Sequence, residues 1–153
     1  MSRDADRPMR LCFLGCGRVA DAHSGRLGRL RPGVTLSFAS RSQPNAETLR
    51  AKYGGVHAFG SYLEAIEHPG IDVVAVVTPP SSHLELTIAA LRAGKDVILE
   101  KPPVPRSADF DAVERACRDE GRFVYVAENY YYKPVLKAVR DPIASRTAFR
   151  TGL

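Results

Sequence analysis

A short glycine motif, Gly15-Cys16-Gly17-Arg18-Val19-Ala20, follows an apolar run at residues 11–14 and opens a helix-like stretch. Its spacing, G-x-G-x-x-[GA], carries meaning in that strand-to-helix context. Gly15 would permit a tight turn, Gly17 would let the backbone approach a diphosphate, and Ala20 would allow close packing of helix on strand. Unpaired N–H groups at the helix start would receive the anion. The motif predicts a dinucleotide-binding loop; the alternative is a glycine turn with only a structural role.

A second segment, Ser40-Arg41-Ser42, ends the next apolar run, where an NAD-binding protein usually carries an acid for the ribose hydroxyls. No acid is present in it. A carboxylate would repel a 2′-phosphate, whereas the Arg41 guanidinium can fork onto one, and Ser40 or Ser42 can donate a hydrogen bond beside it. The segment predicts NADP. NAD is the alternative if Arg41 is a solvated surface residue or stacks on adenine.

Strand-like and helix-like stretches alternate along almost the whole chain, and they must position these residues. The alternation predicts a doubly wound α/β fold of the Rossmann type, a parallel sheet of about six strands with helices on both faces. We expect strands at residues 11–14, 35–39, 56–59, 72–78, 96–99 and 123–127. Among the helices, Leu84, Ile88 and Leu91 form one apolar stripe and Phe110, Val113 and Cys117 another. Ligands of such sheets bind beyond the carboxyl ends of the strands, which selects residues 15–20, 40–42, 78–83, 100–102 and 128–129.

The later segments resemble the Gfo/Idh/MocA oxidoreductases, the family of glucose-fructose oxidoreductase and inositol dehydrogenase. Glu100-Lys101-Pro102 matches that family's Glu-Lys-Pro signature, and Ala93-Gly94-Lys95-Asp96-Val97 matches the approach to it. The glycine motif followed by His23 is similar to the family's opening. Thr78-Pro79-Pro80-Ser81-Ser82-His83 resembles its Thr-Pro-Asn-x-x-His loop, with Pro80 in place of the Asn. The resemblance runs from about residue 11 to residue 134.

The resemblance implies an oxidoreductase that transfers a hydride between a nicotinamide coenzyme and a sugar-like or polyol-like alcohol or ketone. Lys101 would lie beside the nicotinamide and the carbinol carbon as the catalytic residue. His83 would line the coenzyme pocket, although a capping or partly buried histidine is an equal alternative, and His23 is expected to be structural. Together with the motifs above, the expected coenzyme-binding residues are Gly15, Cys16, Gly17, Arg18, Val19, Ser40, Arg41, Ser42, Thr78, Pro79, Pro80, His83, Glu100, Lys101 and Asn129.

The chemistry of Lys101 is reasonable independently of the resemblance. Moving a hydride to or from an alcohol carbon requires a proton to join or leave the oxygen. An ammonium group can serve if burial and a nearby cationic nicotinamide lower its pKa. Glu100 would hold Lys101 in position and Pro102 would stiffen the turn. The alternative is a lysine at a surface strand end.

Composition excludes several classes of protein. The chain has 153 residues, 44% hydrophobic and 25% charged, which is typical of a globular domain of ordinary size. No apolar run is long enough for a membrane span, and the charged start lacks a secretory signal, so we expect a cytoplasmic protein. The net charge of +5 is scattered rather than clustered, which argues against nucleic-acid binding. The cysteines, Cys12, Cys16 and Cys117, show no metal-ligand spacing, and a reactive thiol at Cys16 is less expected than a filler.

The expected organisation is a disordered lead-in at residues 1–9, a dinucleotide-binding domain at 10–129 and a connecting segment at 130–153. The stretch Glu128-Asn129-Tyr130-Tyr131-Tyr132-Lys133-Pro134 resembles the family's approach to a second domain, with Lys133 in place of an Arg. By the resemblance, that second domain would supply an Asp and a His in a G-x-x-x-D-x-x-x-H pattern that this chain lacks. We therefore expect a truncated or frame-shifted product, whose partner would be a separate domain or a second copy.

Three functions stay open on this evidence. The first is an NADP-dependent oxidoreductase of sugar-like alcohols, present as its coenzyme domain. The second is a non-catalytic dinucleotide-binding module. The third is a stably folded remnant without activity.

Overall fold

The computed structural model describes residues 7–30, 32–129 and 133–144. Its single described sheet has six strands in the order β3-β2-β1-β4-β5-β6, and every neighbouring pair is parallel. The prediction of a doubly wound α/β fold is confirmed. The strands are β1 (Met9–Leu14), β2 (Val34–Ala39), β3 (Ala58–Phe59), β4 (Val73–Val76), β5 (Asp96–Leu99) and β6 (Val124–Val126).

Helices connect the strands on both faces, as parallel pairing requires. They are α1 (Arg18–Leu27), α2 (Gln43–Tyr53), α3 (Tyr62–Glu67), α4 (His83–Arg92), α5 (Ser107–Glu120) and α6 (Pro134–Ala144). Short 3₁₀ turns lie at Gly28–Leu30 and Pro80–Ser82. Pro44 suits the first turn of α2, where no N–H partner is needed, and Gly54 ends that helix in the left-handed conformation at φ 59°. No described helix is both long and apolar enough to cross a membrane.

Two apolar clusters, one on each face of the sheet, hold the layers together. On one face Phe13 and Phe38 stack with ring centroids 5.9 Å apart, beneath the small residue Ala20 of α1. On the other face Val74 and Leu99 pack beneath α3 and α4. Each fully buried side chain of this size contributes roughly 1.5–3 kcal/mol to folding. The central strands are buried on both sides, which explains their nearly continuous apolar sequence.

Two helix stripes differ from the prediction. In α4 the buried residues are His83, Leu86, Thr87, Ala90 and Leu91, whereas Leu84 and Ile88 are only partly buried. The helix packs against both β5 and α5. Its buried surface is therefore wider than a single apolar stripe, and it is rotated around the helix axis from the stripe of Leu84, Ile88 and Leu91. In α5 Phe110 is 48% exposed although Val113 is buried. Apolar periodicity alone did not identify these contacts.

The described structure begins within the expected lead-in at residues 1–9. Strand β1 begins at Met9, and the Arg7 guanidinium donates to the Asp72 carboxylate at 2.8 Å, so the described structure begins before residue 10. Residues 1–6 of the expected lead-in lie outside the described residues. The same holds for the three tyrosines at 130–132 and for residues 145–153, where the resemblance to the family was expected to stop.

Candidate functional site

The glycine loop lies where the direction of the sheet connections reverses. Strand β1 is paired with β2 on one side and with β4 on the other, and the chain leaves β1 through α1 and β4 through α4, on opposite faces. The Gly15 backbone has φ +110°, and a Cβ built there would come within 3.2 Å of the Val77 carbonyl carbon and oxygen. Only glycine fits this conformation without strain. The loops after β1 and β4 therefore meet closely, and they form the crevice in which such folds bind ligands.

Gly17 presents an open helix terminus beside that crevice. It is the N-cap of α1, and a Cβ built on it would meet nothing within 4 Å. Arg18 and Val19 follow it with exposed side chains, while Ala20 is fully buried against the sheet. The first N–H groups of a helix have no intrahelical partner and carry a partial positive charge. The start of α1 thus has open space beside unpaired main-chain N–H groups.

Cys16 is a packing residue of this loop rather than a nucleophile. Its thiol lies 3.4 Å from the Ala39 carbonyl oxygen, to which it donates. Burial raises the pKa of the Cys16 thiol to about 11. The thiolate, which is the reactive form, is therefore scarce at neutral pH.

We expect iodoacetamide to alkylate Cys16 about 100-fold more slowly than an exposed thiol at neutral pH, because little thiolate is present. The rate should rise with pH until the pKa of about 11 is reached, since a raised pKa moves ionisation to higher pH. Mass spectrometry of the alkylated chain, with Cys16→Ser to assign the peptide, measures this rate. Rapid labelling of Cys16 near pH 7 would contradict the role assigned here.

Ser40, Arg41 and Ser42 follow β2 at the same edge of the sheet. The Ser40 hydroxyl is nearly buried and accepts a hydrogen bond from the Ser42 N–H at 3.2 Å. Part of its hydrogen-bonding capacity therefore stabilises the turn. Ser42 is the exposed N-cap of α2 and makes no side-chain capping hydrogen bond. The exposed Arg41 lines a cavity of about 570 Å³. Of the three residues, Arg41 and Ser42 are thus the ones free to face a ligand.

The cavity beside Arg41 is closed on its other side by the loop after β4. Thr78, Pro79 and Ser82 line it, and the Ser82 hydroxyl donates to the Thr78 hydroxyl at 2.8 Å. The exposed Pro80 begins the same short turn, at a position that proline suits because no N–H partner is needed there. Of the predicted residues, Arg41, Thr78 and Pro79 are therefore brought together around one cavity.

One wall of the cavity consists of residues that the sequence did not indicate as part of a site. Gly60, Ser61, Tyr62 and Leu63 line it after β3, and Glu85 and Leu86 line it from α4. The segment after β3 could have been found, because the carboxyl end of any strand in a parallel sheet reaches the same edge. The expected strand at 56–59 is short, so its carboxyl end gives only a weak signal in the sequence.

Lys101 follows β5 at this edge and its side chain is exposed. The Glu100 carboxylate accepts the backbone N–H of Lys101 at 3.0 Å, and it also lies 3.8 Å from the His23 imidazole of α1. Glu100 therefore orients the main chain at Lys101. The peptide between Lys101 and Pro102 is cis. Asn129 is also exposed, at the corresponding end of β6.

His83 does not line the coenzyme pocket. Its side chain is fully buried, and both ring nitrogens contact main-chain carbonyl oxygens. A ring with no exposed surface offers nothing to a bound coenzyme, so the expectation of a coenzyme contact is revised. The alternative of a buried histidine is the arrangement found.

Comparison with known proteins identifies the family. The family model described as an oxidoreductase family with an NAD-binding Rossmann fold, Gfo/Idh/MocA, matches residues 9–128. This chain belongs to the Gfo/Idh/MocA family.

Three relatives show how far this Gfo/Idh/MocA chain extends along the family fold. Galactose 1-dehydrogenase of Pseudomonas fluorescens is 32% identical over 92% of this chain and 43% of its own length. The 3-ketoreductase KijD10 of Actinomadura kijaniata, in complex with NADP and TDP-benzene, is 26% identical with a TM-score of 0.80, over 90% of this chain and 42% of its own. The WlbA dehydrogenase of Bordetella pertussis, in complex with NADH and UDP-GlcNAcA, shares the fold with a TM-score of 0.84 at 24% identity. The match covers 91% of this chain and 43% of the WlbA chain. The chain therefore spans less than half the length of each relative.

Proposed function

We propose that this protein is the coenzyme-binding part of an NADP-dependent oxidoreductase acting on a sugar-like or polyol-like alcohol. The observation that carries the proposal is the meeting of three motifs at one sheet edge. The glycine loop follows β1, Arg41 follows β2 and Lys101 follows β5, all at the carboxyl ends of parallel strands. The names of galactose 1-dehydrogenase and D-xylose 1-dehydrogenase among the relatives support the sugar-like substrate class.

The residues present fit a dinucleotide. Gly15 closes the turn against the Val77 carbonyl, and Gly17 leaves space where a Cβ would otherwise stand. The first N–H groups of α1 would bind the diphosphate, and the cavity of about 570 Å³ is large enough for a nucleoside. The bound coenzyme supplies or accepts a hydride at its nicotinamide.

The preference for NADP rests on charge at the end of β2. Arg41 lies where an acid would discriminate for NAD, and its exposed guanidinium can pair with a 2′-phosphate in bidentate geometry. Glu85 also lines the cavity and opposes a phosphate placed near it. We infer that Arg41 determines the coenzyme preference more than Glu85 does, because Arg41 follows β2 directly, at the position that contacts the ribose. Solved relatives carry either NADP or NADH, so NAD is the alternative.

Lys101 is the residue that would move the proton. In the oxidation direction it would accept the hydroxyl proton as the hydride leaves the carbinol carbon, and in reduction it would return that proton to the oxygen. Glu100 holds the Lys101 main chain through its N–H, which limits where the side chain can reach. Such positioned proton transfer typically contributes about 10²- to 10⁴-fold to a rate.

A fluorescence titration of the purified chain tests the proposal. We expect NADPH to bind more tightly than NADH, and Arg41→Ala to weaken NADPH about 10- to 150-fold, since charged hydrogen bonds contribute roughly 1.5–3 kcal/mol. NADH affinity should change little. Arg29→Ala, which removes an exposed arginine in the turn after the opposite end of α1, is the matched control. Equal losses for both coenzymes in Arg41→Ala would contradict the NADP preference, and a wild-type protein that binds neither would contradict the proposed function.

A second function, a dinucleotide-binding module without catalysis, is favoured by one observation. The chain spans 43% of galactose 1-dehydrogenase, and of its motifs only the Lys101 signature would contact a substrate. NADPH binding without turnover of any sugar or polyol, alone or with a separately supplied second domain, would assign this function. A second domain or a second copy of the chain is the partner we propose in the catalytic case.

A further inference from the structure

The buried His83 side chain contacts the two loops that follow β4 and β5. It is the first residue of α4, and its imidazole is fully buried. The Nε2 atom lies 2.8 Å from the Thr78 carbonyl oxygen. The Nδ1 atom lies 3.0 Å from the Pro102 carbonyl oxygen and 3.1 Å from that of Pro103. One side chain thus spans the loop after β4 and the loop after β5.

The segment after Lys101 needs such an external donor. Pro102, Pro103 and Pro105 have no backbone N–H, so this segment offers carbonyl acceptors but few donors of its own. The backbone N–H of Lys101 is already bound by the Glu100 carboxylate. A ring nitrogen of His83 is the donor that reaches the two carbonyls directly after Lys101.

We propose that His83 is a positioning residue that fixes Lys101 relative to the dinucleotide loop, because its buried ring contacts main-chain carbonyl oxygens of both loops. The link is continuous, because Thr78 lies against Gly15 on one side and Pro102 follows Lys101 on the other. The role for catalysis rests on the proposed function, whereas the hydrogen bonds are a property of the folded chain alone.

Amide exchange at Lys101 tests the positioning. We expect His83→Ala to accelerate exchange of the Lys101 amide about tenfold or more through local opening, and His83→Gln, which keeps one donor, to recover part of the protection. His57→Ala should leave it unchanged, and NADPH affinity should change less than threefold in all three. Unchanged exchange in folded His83→Ala would overturn the proposal. Because exchange is measured without coenzyme, a wild-type protein that fails to bind NADPH would overturn the proposed function and not this assignment.

Discussion

Turnover of a sugar or polyol is expected to fall about 10²- to 10⁴-fold when Lys101 is replaced by methionine. Methionine has similar length and no ionisable group, so the alcohol proton loses its carrier while the loop keeps its shape. NADPH affinity should stay nearly unchanged, because the diphosphate and ribose contacts come from the loops after β1 and β2. Absorbance of NADPH with a panel of aldoses and polyols measures turnover, and fluorescence measures binding.

Lys101→Arg separates proton transfer from charge. Arginine keeps the positive charge but does not lose a proton in proteins, so it should be nearly as inactive as methionine. Turnover retained in either variant would exclude Lys101 as the acid and base. A wild-type protein that binds NADPH but turns over no substrate, also with a second domain supplied, would replace the enzymatic function with the binding module.

Gly17→Asp is expected to lower NADPH affinity about 100-fold or more while leaving the fold at least as stable as wild type. Gly17 has φ −92°, which any residue adopts, and an added Cβ meets nothing within 4 Å. Aspartate is also a preferred N-cap and should stabilise α1 by a few tenths of a kcal/mol. The same carboxylate would stand where the diphosphate is proposed to bind, and like charges repel strongly in a partly desolvated site.

Gly17→Asn is the matched control, because asparagine has nearly the same size and capping ability without the charge. Thermal denaturation and NADPH titration of both variants measure the two effects independently. We expect both variants to melt no lower than wild type and the aspartate variant to lose much more affinity than the asparagine variant, whose side chain adds bulk without charge. Wild-type NADPH affinity in both variants would show that no diphosphate binds at this terminus.

The fold was predictable because its signals are local. Apolar runs such as 11–14 and 73–76 are buried on both faces, and a run of that kind between helix-like stretches favours a parallel strand whatever its neighbours. The ends of the strands were less predictable. Val77 continues the apolar run, yet β4 ends at Val76. The chain turns toward α4 at this point, and the Thr78 carbonyl oxygen contacts the His83 ring.

The sequence by itself determined the glycine motif, the Arg41 segment, the Lys101 signature and their common edge, because the carboxyl ends of parallel strands must meet. Only the tertiary structure decided the wall formed by Tyr62 and Glu85, the raised pKa of Cys16 and the burial of His83. These depend on contacts between residues far apart in the chain. A histidine that follows a turn has the same sequence context whether it faces a ligand or three carbonyl oxygens, and packing alone distinguishes the two.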